Sequence, residues 1–260
     1  MKEFKNYLRS ERQLSKVTIG NYLFLINQFQ KFLSQTSEGL NMITRQDISN
    51  FLNYLQNKGN VKSSINLYII ALRNYYKWAY SFYKDEELSR IVFFLYHKLK
   101  IEEERKAPVI PTREEISKLR SALNQFLQLN SYDKNSRFYR YALRAYTMIE
   151  IFITAGLRSK ELKSLQRKDI DLESRIIFVK KRKGDYQRFS LCGESTIEVL
   201  KEYFEVYKFA PEDIIFPMAQ QNVVNRTVKR WATNAQINPR IVSHSLRLYF
   251  ITQSKDLMRR

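Results

Sequence analysis

Cysteine occurs once in the 260 residues, at Cys192, so no internal disulfide can form and a reducing compartment is the expected setting. Histidine occurs twice, at His97 and His244, and with one cysteine that leaves no zinc cluster to build. No metal and no cofactor are therefore expected. Proline is absent from residues 1–100, which favours uninterrupted helices there. No apolar run reaches the 18 residues of a membrane span, and the start has no signal-peptide pattern. The expectation is a cytoplasmic, nucleoid-associated protein with no membrane partner. Acidic residues are scarce: 26 Asp and Glu face 45 Lys and Arg, a formal net charge of +19.

That excess is spread along the chain. Residues 1–100 carry 15 basic against 7 acidic residues, and residues 101–260 carry 30 against 19. A polyanion touching both halves is the simplest partner, and nucleic acid is the commonest one. An anionic lipid surface is the competing reading. The hydrophobic fraction of 44% is ordinary for a globular protein, and the length allows two domains.

The first hundred residues read as successive helices. Ser15 is a candidate N-cap for a helix that places Tyr22, Ile26, Phe29 and Leu33 at helical spacing. A second helix opens at Thr44 with Asp47 as capping-box partner, carries Ile48, Phe51, Leu52 and Leu55, and stops at Gly59. A third starts near Ser63-Ser64 with Ile65, Ile69, Leu72 and Tyr76 along one face. Its tyrosines and Trp78 are read as packing residues rather than base-stacking platforms. Residues 101–112 carry Pro108 and Pro111 beside a charge run and are read as a linker. The next helix begins at Thr112 with Glu115 as its capping partner, and a further helical stretch covers 137–154. The period then changes: Ile176–Val179 and Phe189–Leu191 read as strands around a hairpin tip of Lys180, Lys181, Arg182 and Lys183. Helical patterns return at 194–209, at 222–235 and near Ser243.

The stretch Thr154–Leu165, TAGLRSKELKSL, reads as a turn at Ala155-Gly156 that feeds a helix. It throws Arg158 outward while Leu157, Leu162 and Leu165 face a core. His244 and Arg247, three apart, project from one face of the last helix. Two guanidiniums can grip phosphate oxygens bidentately, and a lysine or histidine can hand a proton to a leaving oxygen. Arg158, a hairpin lysine and the His244/Arg247 pair together make a site for one phosphate.

With those residues in that order, the chain resembles the tyrosine recombinase family of phage integrases and Xer-like recombinases across nearly its whole length. The family's Thr-Gly-Leu-Arg-x-x-Glu-Leu-x-x-Leu box is similar to Ala155–Leu165, its Gly-Lys-Gly turn to Arg182-Lys183-Gly184, and its His-x-Leu-Arg box to His244–Arg247. Leu14-Ser15, Thr18, Tyr22, Phe29 and Phe32-Leu33 follow its first-helix pattern. The resemblance implies catalytic roles for Arg158, Lys183, His244 and Arg247, with Glu161 as acidic support. Lys180 and Lys181 remain neighbouring alternatives to Lys183, and Lys180, Lys181 and Arg182 are candidate DNA contacts.

The fold implied is mainly α, a two-domain clamp on DNA. Residues 1–100 would form a helical, SAM-like core-binding bundle. After the linker at 101–112, residues 113–260 would form a mostly helical catalytic-type domain with a small antiparallel β-sheet. The resemblance further implies a partner in double-stranded DNA, a homo-oligomer (dimer or tetramer) on it, and metal-independent cleavage and rejoining through a phosphotyrosyl intermediate.

Two departures stand out. Leu248 and Tyr249 follow the His-x-Leu-Arg box where the family shows another basic or imidazole residue and then Thr or Ser. The family's later nucleophilic tyrosine has no counterpart before Arg260. Tyr249 stands two residues from Arg247, on a different helix face, and is read as packing, which leaves the nucleophile unassigned. Three readings follow: a strand-transfer enzyme whose C-terminal end is missing by truncation or gene interruption, a degenerate relative that binds recombination sites as a regulator or accessory protein, and a basic helical RNA-binding module.

Overall fold

The computed structural model describes residues 1–36, 43–99, 107–180 and 188–258. They divide into two compact units, Met1–Lys106 and Ala107–Arg260.

The first unit is wholly helical among the described residues: α1 (Lys2–Ser10), α2 (Lys16–Thr36), α3 (Arg45–Asn57), α4 (Lys62–Tyr83) and α5 (Glu86–Phe93), the last continued by a π turn over Phe94–Lys98. Local chemistry sets several of these boundaries. The Ser15 hydroxyl accepts the Thr18 N–H at 3.1 Å at the start of α2. Thr44 and Asp47 cap α3 reciprocally, and Gly59 takes φ +78° just past its end. α4 starts at Lys62 after Val61, with no side-chain cap, instead of at the serines. Two apolar clusters hold the bundle. Phe29, Leu33, Ile48, Phe51, Leu55, Ile69, Leu72 and Tyr76 form one, with Phe29 and Phe51 rings 4.9 Å apart. Phe4 and Leu8 of α1, fully buried, pack with Ile19, Ile26, Ala71 and Trp78 in the other. Each Leu, Ile or Phe side chain so removed from water contributes about 1.5–3 kcal/mol.

The second unit runs α6 (Arg113–Leu129), α7 (Arg137–Glu150), α8 (Ser159–Lys163), β1 (Ile170–Asp171), β2 (Ile176–Val179), β3 (Arg188–Leu191), α9 (Glu194–Tyr207), α10 (Gln221–Asn234) and α11 (Ser243–Met258). Thr112 and Glu115 form the expected capping box on α6. The strands make an antiparallel sheet in the order β1-β2-β3, with Ile177 opposite Ser190 and Phe178 opposite Phe189. The two-residue strand β1 carries too short a pattern to be read from sequence. Leu119, Leu123, Leu143, Ile149, Phe152, Leu157, Leu200, Val228 and Leu246 lie in one continuous core.

Two polar devices are buried against that core. Glu150 is fully buried, and Arg120 meets it with two N–H groups at 2.6 and 2.9 Å. Being hydrogen-bonded to Glu150 holds the Arg120 guanidinium above its ordinary pKa. The second device sits where α7 ends. The helix widens into a π turn over Ile151–Ala155, and Gly156 follows with φ +58°. Ser190 of β3 donates to the Ala155 carbonyl at 2.6 Å, tying the sheet to this turn. No helix among the described residues is long and apolar enough to cross a membrane.

Candidate functional site

The site is built on the Gly156 turn. Leu157, Leu162 and Leu165 are buried as the spacing predicts, and they pin the segment so that Arg158 stands outside, its side chain 59% exposed. α8 is five residues long, so the helix field at Arg158 is small. The local electrostatics come from side chains instead. The Glu161 carboxylate accepts the Arg158 backbone N–H at 2.7 Å and its guanidinium at 2.9 Å. Glu161 also accepts Arg188 of β3 at 2.7 Å, and Arg247 lies 4.0 Å from the same oxygen. Burial pushes the Glu161 carboxyl upward, but bonds to Arg158 and the charge of Arg188 outweigh it and hold the group below its usual range.

Arg247 arrives from α11. Its side chain is 18% exposed, and it donates to the Gly156 carbonyl. Burial first, then the nearby Arg158 and Arg188 charges, lowers its guanidinium pKa, with Glu161 opposing. The start of α11 is fixed by a polar knot. Asn225 accepts the Ser243 hydroxyl at 2.8 Å and its backbone N–H at 3.3 Å. Gln221 donates to the Ser243 oxygen at 3.1 Å, and the Ser159 hydroxyl meets it at 3.0 Å. An otherwise orphaned N–H of the helix start is satisfied in this way, and exposed His244, the next residue, is set in place.

An open pocket of about 470 Å³ results, lined by Leu157, Arg158, Lys160, Ser243, His244 and Arg247 among others. The structure thus brings Arg158, His244 and Arg247 to one cavity. Two guanidiniums and an imidazole can neutralise and orient an anion there.

The remaining predicted residues sit elsewhere. Lys180 forms an ion pair with Asp169 at 3.1 Å and bonds Gln166, and it does not line the pocket. Lys181, Arg182 and Lys183 lie outside the described residues. Tyr249 packs, half-buried, on the core beside Arg120, and no tyrosine among the described residues lines the pocket. No cluster among those residues suits a metal ion.

Sequence reading missed Arg188, Gln221 and Asn225. Arg188 was within reach of the period-two rule, since it shares a sheet face with Ser190, which meets the Ala155 carbonyl. Gln221 and Asn225 carry no local signal, because their partner Ser243 is a long-range neighbour.

Residues 1–81 match the family model "Phage integrase, N-terminal SAM-like domain", and residues 119–254 match "Phage integrase family". The chain belongs to the phage integrase family of tyrosine recombinases. It is 27% identical over 264 residues to tyrosine recombinase XerC of Staphylococcus saprophyticus, covering 96% of this chain and 82% of that protein. Tyrosine recombinase XerC of Pediococcus pentosaceus is 26% identical over 272 residues, covering 98% and 85%.

Among solved structures, the fold of this integrase-family chain is similar to XerH recombinase bound to difH substrate in a pre-cleavage complex. The TM-score there is 0.71 at 20% identity, over 100% of this chain and 75% of that one. It is also similar to a lambda integrase dimer bound to a COC′ core site, with a TM-score of 0.70 at 16% identity over 99% and 86%. Integrase-family membership agrees with the expected mainly helical architecture with one small antiparallel sheet.

Proposed function

We propose that this chain is a duplex-DNA-binding subunit for site-specific strand exchange, and that its pocket holds one backbone phosphate. The observation that carries the reading is the convergence of Arg158, His244 and Arg247 on one cavity from segments far apart in sequence. In an in-line displacement a phenol gives up its proton and its oxygen bonds to phosphorus as the bond to the 5′ oxygen breaks, and the departing 5′ oxygen takes up a proton. Arg158 and Arg247 would neutralise the non-bridging oxygens as charge builds, and His244 or Lys183 would supply the proton. Glu161 would hold Arg158 in place. Lys181 and Arg182 would add backbone contacts, and both basic units would engage the duplex, the protein assembling as a homo-oligomer on it.

The phenol is the open element. Tyr249 leaves α11 about 200° round from Arg247, given 100° per residue, and it is packed on the core. With no tyrosine among the described residues lining this pocket, the nucleophile would come from a partner subunit or from residues outside those described. The same observation supports the second reading, a subunit that binds recombination-site DNA as a regulator without cleaving it.

The chain is to be incubated with a pooled library of nicked duplexes and resolved on a denaturing gel. The expected result is DNA binding in native gels with no protein-linked DNA band from the chain alone. A band abolished by Tyr249→Phe would make Tyr249 the nucleophile and overturn the trans reading.

A further inference from the structure

Three guanidiniums, Arg158, Arg188 and Arg247, surround one carboxylate, Glu161. A carboxylate that is 88% removed from solvent seeks full pairing, and each of its oxygens has room for about two donors. Here Oε1 serves Arg158 at 2.9 Å, while Oε2 serves Arg188 and the Arg158 backbone N–H, each at 2.7 Å. Arg247 stops 4.0 Å from Oε2 and donates to the Gly156 carbonyl instead. Arg188 and Arg247 are thus rivals for the same oxygen, and Arg188 holds it.

We propose that Arg188 is a positioning residue, which keeps Glu161 satisfied and so leaves Arg247 available to a DNA phosphate. The inference rests on the phosphate-binding reading of the pocket. Arg188 does not line that pocket, so its effect passes through Glu161. Without it, Oε2 keeps only the Arg158 backbone N–H, and Arg247 is the guanidinium nearest to that oxygen after Arg188. Closing the 4.0 Å gap would draw the Arg247 guanidinium out of the pocket into a tight internal ion pair. Arg188 enters the unit at the base of the β2–β3 hairpin, opposite Val179, so it is held by the ladder and is not free to follow Arg247.

The test is a double-mutant cycle read by DNA affinity. Binding of a 30-base-pair duplex of arbitrary sequence is measured against salt for the parent, Arg188→Gln, Glu161→Gln and the double variant, with melting followed in parallel. Arg188→Gln should weaken binding about tenfold and flatten the salt slope by about one, the signature of one lost phosphate contact. In the Glu161→Gln background the same change should cost less than about threefold, because no carboxylate remains to capture Arg247.

Equal losses in both backgrounds would overturn the proposal and make Arg188 a direct contact. A lowered melting point with unchanged affinity and slope would overturn it too, as a purely structural ion pair. If Arg188→Gln does not fold, Arg188→Lys decides: an ammonium can still hold Glu161, so a tenfold loss there would sink the idea. Arg158→Gln and Arg247→Gln serve as the separate check on the pocket. If both bind as the parent does, the phosphate reading itself fails, whatever Arg188 does.

Discussion

Arg247, on the last helix, donates a guanidinium N–H to the carbonyl of Gly156, 91 residues earlier in the chain. The turn that presents Arg158 and the helix that presents His244 are therefore tied together at a backbone oxygen as well as through the Ser159–Ser243 hydroxyls. Phe250, one turn after Arg247, closes over the same glycine: a Cβ at position 156 would overlap its ring. The site's geometry is thus a packing property of the Gly156 turn and α11 together.

Gly156→Ala should destabilise the protein by about 2–4 kcal/mol, from a left-handed φ and a steric overlap that the half-buried Phe250 ring must yield to. Urea denaturation measures this directly. A loss under about 0.5 kcal/mol would mean that Phe250 shifts freely and that the turn does not fix α11.

The arginines should separate by role. Arg120→Ala leaves Glu150, fully buried, without its bidentate partner, and should cost about 3–5 kcal/mol of stability. Arg158→Ala removes an exposed partner of Glu161 and should cost no more than about 1 kcal/mol while weakening DNA binding. Equal losses of stability in the two variants would make Arg158 a structural ion.

Acid should act through Glu161. Its folded-state pKa lies below the ordinary value, so its pairing adds stability above the unfolded pKa and loses it as pH falls through the folded one. As pH falls through and below the ordinary glutamate range, the stability gap between the parent and Glu161→Gln should close. A gap that stays constant over that window would show that the carboxylate is not stabilised by Arg158 and Arg188.

Much of this was legible locally. The capping boxes at Thr44/Asp47 and Thr112/Glu115 lie three residues apart, and Leu157, Leu162 and Leu165 repeat at helical spacing, so short windows suffice for them. α1 was not marked because its buried face rests on two residues, Phe4 and Leu8, whose partners lie on α2 and α4. The grouping of Arg188 with Glu161, and of Asn225 with Ser243, depends on strand pairing and helix docking across 27 and 18 residues, which no window contains. Lys180, read as a candidate DNA contact from its place in a basic run, also pairs with Asp169 and Gln166, and that pairing too depends on the fold rather than on a local window.

The affinity of the chain for duplex DNA should fall linearly in log–log form with salt, since each phosphate neutralised by Lys or Arg releases counterion. With an excess of basic residues in both halves, the slope should correspond to several phosphates. A salt-independent interaction would point to apolar or stacking contacts and away from the phosphate backbone.

The central claim is that Arg158 and Arg247 are where a phosphate sits, and guanidinium NMR reads those groups themselves. With the Nε–H signals assigned through Arg158→Lys and Arg247→Lys, the ¹⁵N-labelled protein is titrated with duplex DNA at low salt. The account predicts that both signals shift together, saturate at the stoichiometry of binding, and move less when orthovanadate already fills the pocket. Saturable DNA binding in which both signals stay put while surface arginines shift would contradict it.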